Sequence, residues 1–186
     1  RAITEHHCDD VRFVATSAAR DVSNRDEFFA GVHKALGVDA EVIAGSEEAG
    51  LSFAGAMSGI EVSEEPVLVI DCGGGSTELV LGHGTKIDSQ VSLNIGSVRL
   101  RERFLHDDPP TAEQIDEART YVREMLTECP VDMATAHTVV GVAGTVTSLS
   151  AINQGLTEYD RAKVHRSVLT ADQVAGLADT LLASTV

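Results

Sequence analysis

The stretch PVLVIDCGGGSTELVLG, residues 66–82, decides how the chain is read. An apolar run ends in an acid, three glycines follow, and Ser76, Thr77 and Glu78 lead into a second apolar run. Val67–Ile70 reads as a buried strand and Glu78–Leu81 as its hairpin partner. Asp71 then falls where a strand ends. Gly73, Gly74 and Gly75 let the backbone turn tightly and leave N–H groups uncovered by side chains, which is what a phosphate cradle needs. Ser76 and Thr77 add hydroxyl donors, while Asp71 and Glu78 add carboxylates suited to a metal ion or a water. Glycines between strands also serve ordinary hairpins, so the loop needs support from the residues around it.

Working outward, strands and helices alternate. Asp10–Thr16 reads as a short strand. Ser23 reads as an N-cap, with Phe28, Val32 and Leu36 as the buried stripe of a helix that Gly37 stops. Glu41–Ala44 is the next strand, and strand–helix–strand at this spacing implies a right-handed crossover and parallel pairing. Ser46 then caps a helix that continues through Leu51–Met57. Beyond the loop, Ile87–Leu93 completes an antiparallel meander. Gly96 starts a short helix carrying Arg99, Arg101 and Arg103, and Thr111 caps a long one with Ile115, Ala118, Val122 and Met125 inward. Thr138–Ala143 is a buried strand, Gly144–Thr147 turns into a helix, Tyr159–His165 is a polar loop, and Thr170–Ala183 a last helix.

Chemistry-bearing residues gather at strand ends. Thr16–Arg20 lies past the first strand, at the edge where ligands collect in parallel α/β sheets. Arg20 there is a phosphate clamp or a solvated loop arginine. Glu47 and Glu48 sit in a first helical turn, a position that acidic residues favour for dipole reasons alone. Gly144 and Thr145 stand where a strand enters a helix, which either aims free N–H groups at an anion or allows close packing. His106, Asp107 and Asp108 tempt a metal assignment, but Pro109 and Pro110 mark an exposed turn.

Composition narrows the classes. In 186 residues, 43% hydrophobic with no Trp, the core must be built from Val, Leu, Ile and Ala. A net charge of −15 argues against general nucleic-acid or membrane-surface binding. No apolar run reaches membrane-spanning length. Cys8, Cys72 and Cys129 are scattered, which suggests a reducing cytoplasm rather than disulfides or a zinc site.

The loop D-x-G-G-G-S-T-E at 71–78 resembles the second phosphate loop of the exopolyphosphatase / guanosine pentaphosphate phosphohydrolase family, within the two-lobed actin-like ATPase fold class. Heat-shock chaperone ATPases carry a related loop that continues with Thr-Phe-Asp. The pattern T-S-A-x-R-D-x-x-N at 16–24 resembles the family segment whose arginine contacts substrate phosphate, matched here by Arg20, with Asn24 after it. A-G-S-E-E-A at 44–49 is similar to the family's I-S-G-x-E-E-A, whose second glutamate is the proposed general base, matched here by Glu48; Ala44 replaces the commoner Ser. The segment from Asn94 to Leu100 resembles L-x-x-G-C-V-R-L with Ser97 in place of Cys, and G-x-A-G-T-x-T at 141–147 resembles the nucleotide-contacting segment of the fold class.

The resemblance implies ribonuclease H-like (actin-like ATPase) α/β lobes, each a mixed β-sheet flanked by helices. Residues 1–45 would be the C-terminal part of lobe I and 46–186 a lobe II incomplete at its C-terminus, with the active cleft between lobes. The family's first phosphate loop, D-x-G-[ST]-N-[ST], is not in this sequence, which begins with Arg1 and ends at Val186 inside a predicted helix; both features suggest a fragment. The implied activity is exopolyphosphatase, release of the terminal phosphate of inorganic polyphosphate. The alternative is the same chemistry on guanosine pentaphosphate, an alarmone of the stringent response. The implied cofactor is magnesium on Asp71 and Glu78, with a monovalent cation an open option. Gly73, Gly74, Gly75, Ser76, Thr77, Gly144, Thr145 and Arg20 would hold phosphates, and Glu48 would activate water. The implied setting is cytoplasmic, with a homodimer an open option, without nucleic acid or membrane. An ATP-driven chaperone or sugar kinase of the same fold, and a non-catalytic binding module, are the competing classes.

Overall fold

In the computed structural model, which describes residues 2–185, the side chains of Ala2, Thr4, Arg20 and Asp21 lie outside the described residues, as do Arg1 and Val186. The chain divides into two units, Arg1–Glu48 and Ala49–Val186.

The first unit contains α1 (Ala2–Glu5), β1 (Phe13–Ala15), α2 (Ser17–Asp21), α3 (Arg25–Leu36) and β2 (Ala40–Val42), and it ends inside α4 (Gly45–Gly59). β1 and β2 pair in parallel, Phe13 opposite Ala40 and Ala15 opposite Val42, as the strand–helix–strand spacing requires. α3 begins after Asn24, one residue later than the Ser23 cap predicts, with Asp26 and Glu27 in its first turn. Gly37 ends it at φ 72°, a left-handed conformation that only glycine adopts freely, with its N–H on the His33 carbonyl. Of the expected stripe Val32 is buried, whereas Phe28 is 48% exposed and leans its ring on Phe13 at 6.1 Å. Arg12 joins Glu41 and Glu47 by hydrogen bonds at the surface, and the Arg12 bond holds Glu41 below the usual carboxylate range.

The second unit is built on a four-stranded mixed sheet in the order β5-β4-β3-β6. β3 (Val67–Cys72), β4 (Thr77–His83) and β5 (Lys86–Leu93) form the expected antiparallel meander, and β6 (Thr138–Val142) lies parallel to β3. Alternation of side chains gives the sheet two distinct faces. One packs Val67, Val69 and Val80 against Ala49 and Phe53 of α4. The other packs Leu68, Leu79, Leu81 and Leu93 with Ile95 and Val131, under Tyr121, Val122 and Met125. Full burial contributes roughly 1.5–3 kcal/mol for each such Val, Leu or Phe side chain.

Helices close both faces. α5 (Ser97–Phe104) follows the meander, and α6 (Ala112–Thr127) starts at a capping box between Thr111 and Gln114. α7 (Ala143–Asn153) leaves β6 with no intervening loop. A short helix, α8 (Arg161–Val164), stands where a polar loop is expected; the Asp160 carboxylate accepts the Ala162 N–H at 2.9 Å and starts it. α9 (Ala171–Leu182) has its own capping box from Thr170 and Gln173 and is C-capped by Ala183, where the sequence pattern ends the last helix; the expectation for Val186 lies outside the described residues. Among the described residues no helix is long and apolar enough to cross a membrane.

Candidate active site

The register of β3 on β4 sets Asp71 directly opposite Glu78. Side chains of such a pair share one face, with Cβ atoms about 4.5–5.5 Å apart. Both carboxylates therefore lie on the α4 side of the sheet, beyond Val69 and Val80. β3 runs on to Cys72, so Asp71 stands inside the strand rather than at its end. A carboxylate taken from water must be hydrogen-bonded, or its burial is costly. Ser52 of α4 donates its hydroxyl to Asp71 Oδ2, and Ser92 of β5 donates to Glu78 Oε1 at 2.7 Å. Asp71 is half-buried; Glu78 is 1% exposed.

The glycine loop is held from one side. The carbonyls of Gly73, Gly74 and Gly75 accept the N–H groups of Ser97 (3.0 Å), Arg99 (3.0 Å) and Gly96 (3.3 Å) respectively. The loop thereby caps the open N-terminal N–H groups of α5. Arg99 adds Nε–H to the Gly75 carbonyl at 2.8 Å. A side chain on Gly96 would bring a Cβ within 2.4 Å of the Gly74 carbonyl group, so glycine is required there by close approach of two backbones. Across the loop, Gly73 N–H returns to the Ser76 carbonyl at 3.1 Å, while the N–H groups of Gly74, Gly75 and Ser76 enter no backbone hydrogen bond among the described residues.

Ser76 and Thr77 are buried, at 3% and 6% exposure. The Thr77 hydroxyl donates to the Ile95 carbonyl at 3.2 Å and also lies 3.6 Å from Cys72 Sγ. At the β6–α7 junction Ala143 takes φ 69°, a left-handed conformation that costs a non-glycine residue about 1–2 kcal/mol. Gly144 is exposed, with open space where a Cβ would stand. The Thr145 hydroxyl donates to Ser97 Oγ at 3.2 Å, and Ser97 Oγ in turn donates to the Gly73 carbonyl at 3.4 Å. Gly141 receives Val146 so closely that a Cβ would meet its Cγ1 at 2.6 Å, which explains one glycine of the 141–147 pattern by packing.

The first unit carries the two remaining residues. Arg20 lies in α2, its side chain outside the described residues. Glu47 and Glu48 occupy the first turn of α4, and their N–H groups both reach the Ala44 carbonyl at 3.0 Å. The helix therefore opens at Gly45, and Ser46 stands inside the first turn instead of capping it. Glu48 is half-buried, with Oε2 shielded from solvent.

A cross-strand acid pair, a glycine loop with its carbonyls tied back, and a strand–helix turn tied to that loop form one constellation in the second unit. The model of the Ppx/GppA phosphatase family matches residues 1–185. The chain belongs to that family. Exopolyphosphatase 2 of Mycobacterium tuberculosis is 47% identical over 98% of this chain and 59% of its own length. A bifunctional 3-dehydroquinate synthase/phosphatase of Fusobacterium nucleatum is 35% identical over 86% of this chain and 25% of its own length. Among solved structures, an exopolyphosphatase-like protein superposes with a TM-score of 0.93 at 46% identity, and the Ppx/GppA enzyme of Aquifex aeolicus with 0.80 at 36%; each match covers 99% of this chain and 60% of the other. The chain thus spans about 60% of the length of these two structures.

Within this Ppx/GppA chain, no group of three or more His, Cys, Asp and Glu residues could hold a metal ion among the described residues. Asp71 and Glu78 supply a pair. Magnesium commonly takes only one or two carboxylates and completes its shell with water and substrate phosphate, so a pair fits it. His106, Asp107 and Asp108 behave as the turn their prolines predict: all three are exposed, and Asp107 Oδ2 accepts Gln114 Nε2 at 2.7 Å. Sequence reasoning missed Ser52 and Ser92, which hold the two acids, and the use of Arg99 and Ser97 on the loop. For Ser92 a signal existed: it faces Glu78 once the meander is drawn in register.

Proposed function

We propose that the full-length protein hydrolyses the terminal phosphoanhydride of inorganic polyphosphate and releases phosphate. The observation that best supports this is the glycine loop, whose three carbonyls turn into α5. A trans peptide puts N–H and C=O on opposite sides, so the N–H groups of Gly74, Gly75 and Ser76 turn away from α5. Such N–H groups, with Gly144 and Thr145 at the start of α7, are suited to terminal phosphates.

Phosphoryl transfer passes through a loose transition state, so the protein's work is mainly positioning and charge stabilisation. In this reading Asp71 and Glu78 would hold magnesium. When bound, the ion supplies positive charge against the oxygens of the transferred and leaving phosphates. Two carboxylates set directly opposite repel each other, which is a further reason to assign a cation to them. Glu48 orients the attacking water and takes its proton, and Arg20 clamps a phosphate with its planar fork. Ser76 contributes its N–H to the phosphates, while Thr77 serves by keeping the loop in shape, its hydroxyl spent on the Ile95 carbonyl.

A second reading keeps the site and changes the substrate to guanosine pentaphosphate, and the family's own description joins the two activities. We assign the protein to the cytoplasm, in keeping with three free cysteines, and retain a homodimer as part of the proposal. The test is phosphate release by the full-length protein with magnesium, on long-chain polyphosphate, guanosine pentaphosphate and ATP. Release chiefly from polyphosphate is expected. Release chiefly from guanosine pentaphosphate would move the protein to the alarmone branch, and release from none would sink the enzymatic reading. Glu48→Gln is expected to slow release by about 10²–10⁴-fold while sparing substrate binding. Unchanged turnover would remove Glu48 from the role.

A further inference from the structure

Arg99 and Ser97 have no part in the chemistry above, yet the glycine loop hangs on them. Glycine segments have more conformational freedom to lose than any other. A phosphate that had to order such a loop on binding would bind more weakly. Arg99 grips two successive peptide planes, through its N–H on the Gly74 carbonyl and its Nε–H on the Gly75 carbonyl. Because each plane is trans, that grip fixes where the N–H groups of Gly75 and Ser76 point. Ser97 holds the preceding plane through its N–H on the Gly73 carbonyl. Its hydroxyl also receives Thr145, on a segment 48 residues further along the chain.

We propose that Arg99 and Ser97 are positioning residues that lock the glycine loop and the first turn of α7 into a single phosphate-binding surface. Ser97 is the junction, with the loop on one side and Thr145 on the other. The Thr145 hydroxyl then acts on Ser97, and α7 meets the phosphate through its backbone. Arg101 and Arg103 stand apart from this arrangement. Arg101 donates Nη1–H to the Leu105 carbonyl at 2.9 Å, and Arg103 lies over the Tyr121 ring at 4.2 Å. The proposal rests on the exopolyphosphatase reading, since it needs a ligand that carries phosphates.

The test uses the full-length protein with magnesium and tripolyphosphate, following kcat and KM by phosphate release and affinity by calorimetric titration. Arg99→Ala is expected to raise KM by about 10- to 100-fold, the range for a hydrogen bond from a charged donor. Arg99→Lys, which keeps the charge and one donor, is expected to recover part of that loss, and kcat is expected to move much less than KM in both. Ser97→Ala and Thr145→Val are each expected to raise KM about fivefold, the worth of one net hydrogen bond. The double variant is expected to be no worse than Ser97→Ala alone, because that change already removes the link to Thr145. Arg101→Ala is expected to leave KM unchanged. Multiplying effects in the double variant would overturn the junction. A fall in melting temperature with KM unchanged in the Ser97, Thr145 and Arg99→Lys variants would overturn the positioning role. A wild-type protein that neither binds nor cleaves tripolyphosphate would overturn this proposal and the function beneath it together, which sets that result apart from the other two.

Discussion

The β3–β4 loop and the β4–β5 turn close two hairpins of the same sheet, and both use glycine. In the first, three successive carbonyls are drawn into the start of α5, and the residues that follow, Ser76 to Glu78, are buried. In the second, Gly84 takes φ 53° and exposed side chains span the turn. His83 Nδ1 lies 2.5 Å from Asp88, Lys86 Nζ 3.2 Å from Asp88, and the Gly84 N–H reaches Glu65 at 2.5 Å. The number of glycines does not separate these two connections. The direction in which the carbonyls are pulled does, and it is the ground on which the first is proposed to hold phosphate.

The largest effect should come from putting a side chain where the two backbones meet. Gly96→Ala sets a Cβ 2.4 Å from the Gly74 carbonyl group, with no flexible side chain able to yield. It is expected to cost more than about 4 kcal/mol in a denaturant melt and to abolish phosphate release. Gly84→Ala, on the plain turn, is expected to cost only about 1–2 kcal/mol from its left-handed backbone and to leave release intact. Equal effects at the two glycines would break the comparison.

Asp71→Asn removes one charge from the cross-strand acid pair. Phosphate release by the full-length protein is expected to fall at least about 100-fold, the order seen when a group stabilising the transition-state charge is lost. The melt is expected to hold steady or to rise by up to about 1 kcal/mol as repulsion is relieved. A large loss of stability would make Asp71 a structural residue.

Much of this was legible beforehand. The hairpin around residues 73–75, the parallel pairing of β1 with β2 and the Thr111 cap all follow from local patterns, because each depends on neighbours in sequence. The opposed pair Asp71 and Glu78 follows from the hairpin itself. The fate of the glycine carbonyls was not legible, since their partners lie on Gly96, Ser97 and Arg99, and backbone-to-backbone contacts over such a separation leave no side-chain pattern. Thr77 was misleading for a related reason: a hydroxyl looks the same in sequence whether it meets a ligand or Ile95. The start of α4 at Gly45 was displaced because Ser46 carries the cap chemistry and Ala44 carries none. α8 is too short to show any period.

A smaller effect probes the segment at Gly144 and Thr145, proposed as the second phosphate contact. Gly144→Ala fills open space in a helical position, so the melt is expected to gain about 0.4–1 kcal/mol. Tripolyphosphate affinity is expected to weaken severalfold if backbone approaches phosphate there, as titration of the full-length protein would reveal. Unchanged affinity would leave the glycine loop as the whole anion site.

The smallest effect belongs to the plain turn. The His83 hydrogen bond, with help from Lys86, holds Asp88 below its ordinary value of 3.8. A carboxylate whose folded value is depressed adds stability that is present above about pH 4 and lost as pH falls through the lower folded value. An NMR titration of Asp88 is expected to show a midpoint under 3.8. Asp88→Asn is expected to erase this acid dependence without altering phosphate release. A midpoint at or above 3.8 would remove the charge web from the account of this turn.

The fit of Val146 into the notch at Gly141 matters for anyone who mutates every position of this protein and ranks the results. Gly141 and Gly96 would both score as intolerant, beside Gly73, Gly74 and Gly75, and all five sit in family-like motifs. Two of the five are intolerant for want of volume alone. A map drawn from growth or activity would merge them with the glycines proposed to face the anion. Only a parallel measurement of protein abundance would separate them, because a filled notch depletes the folded protein, whereas a blocked amide leaves it folded and idle.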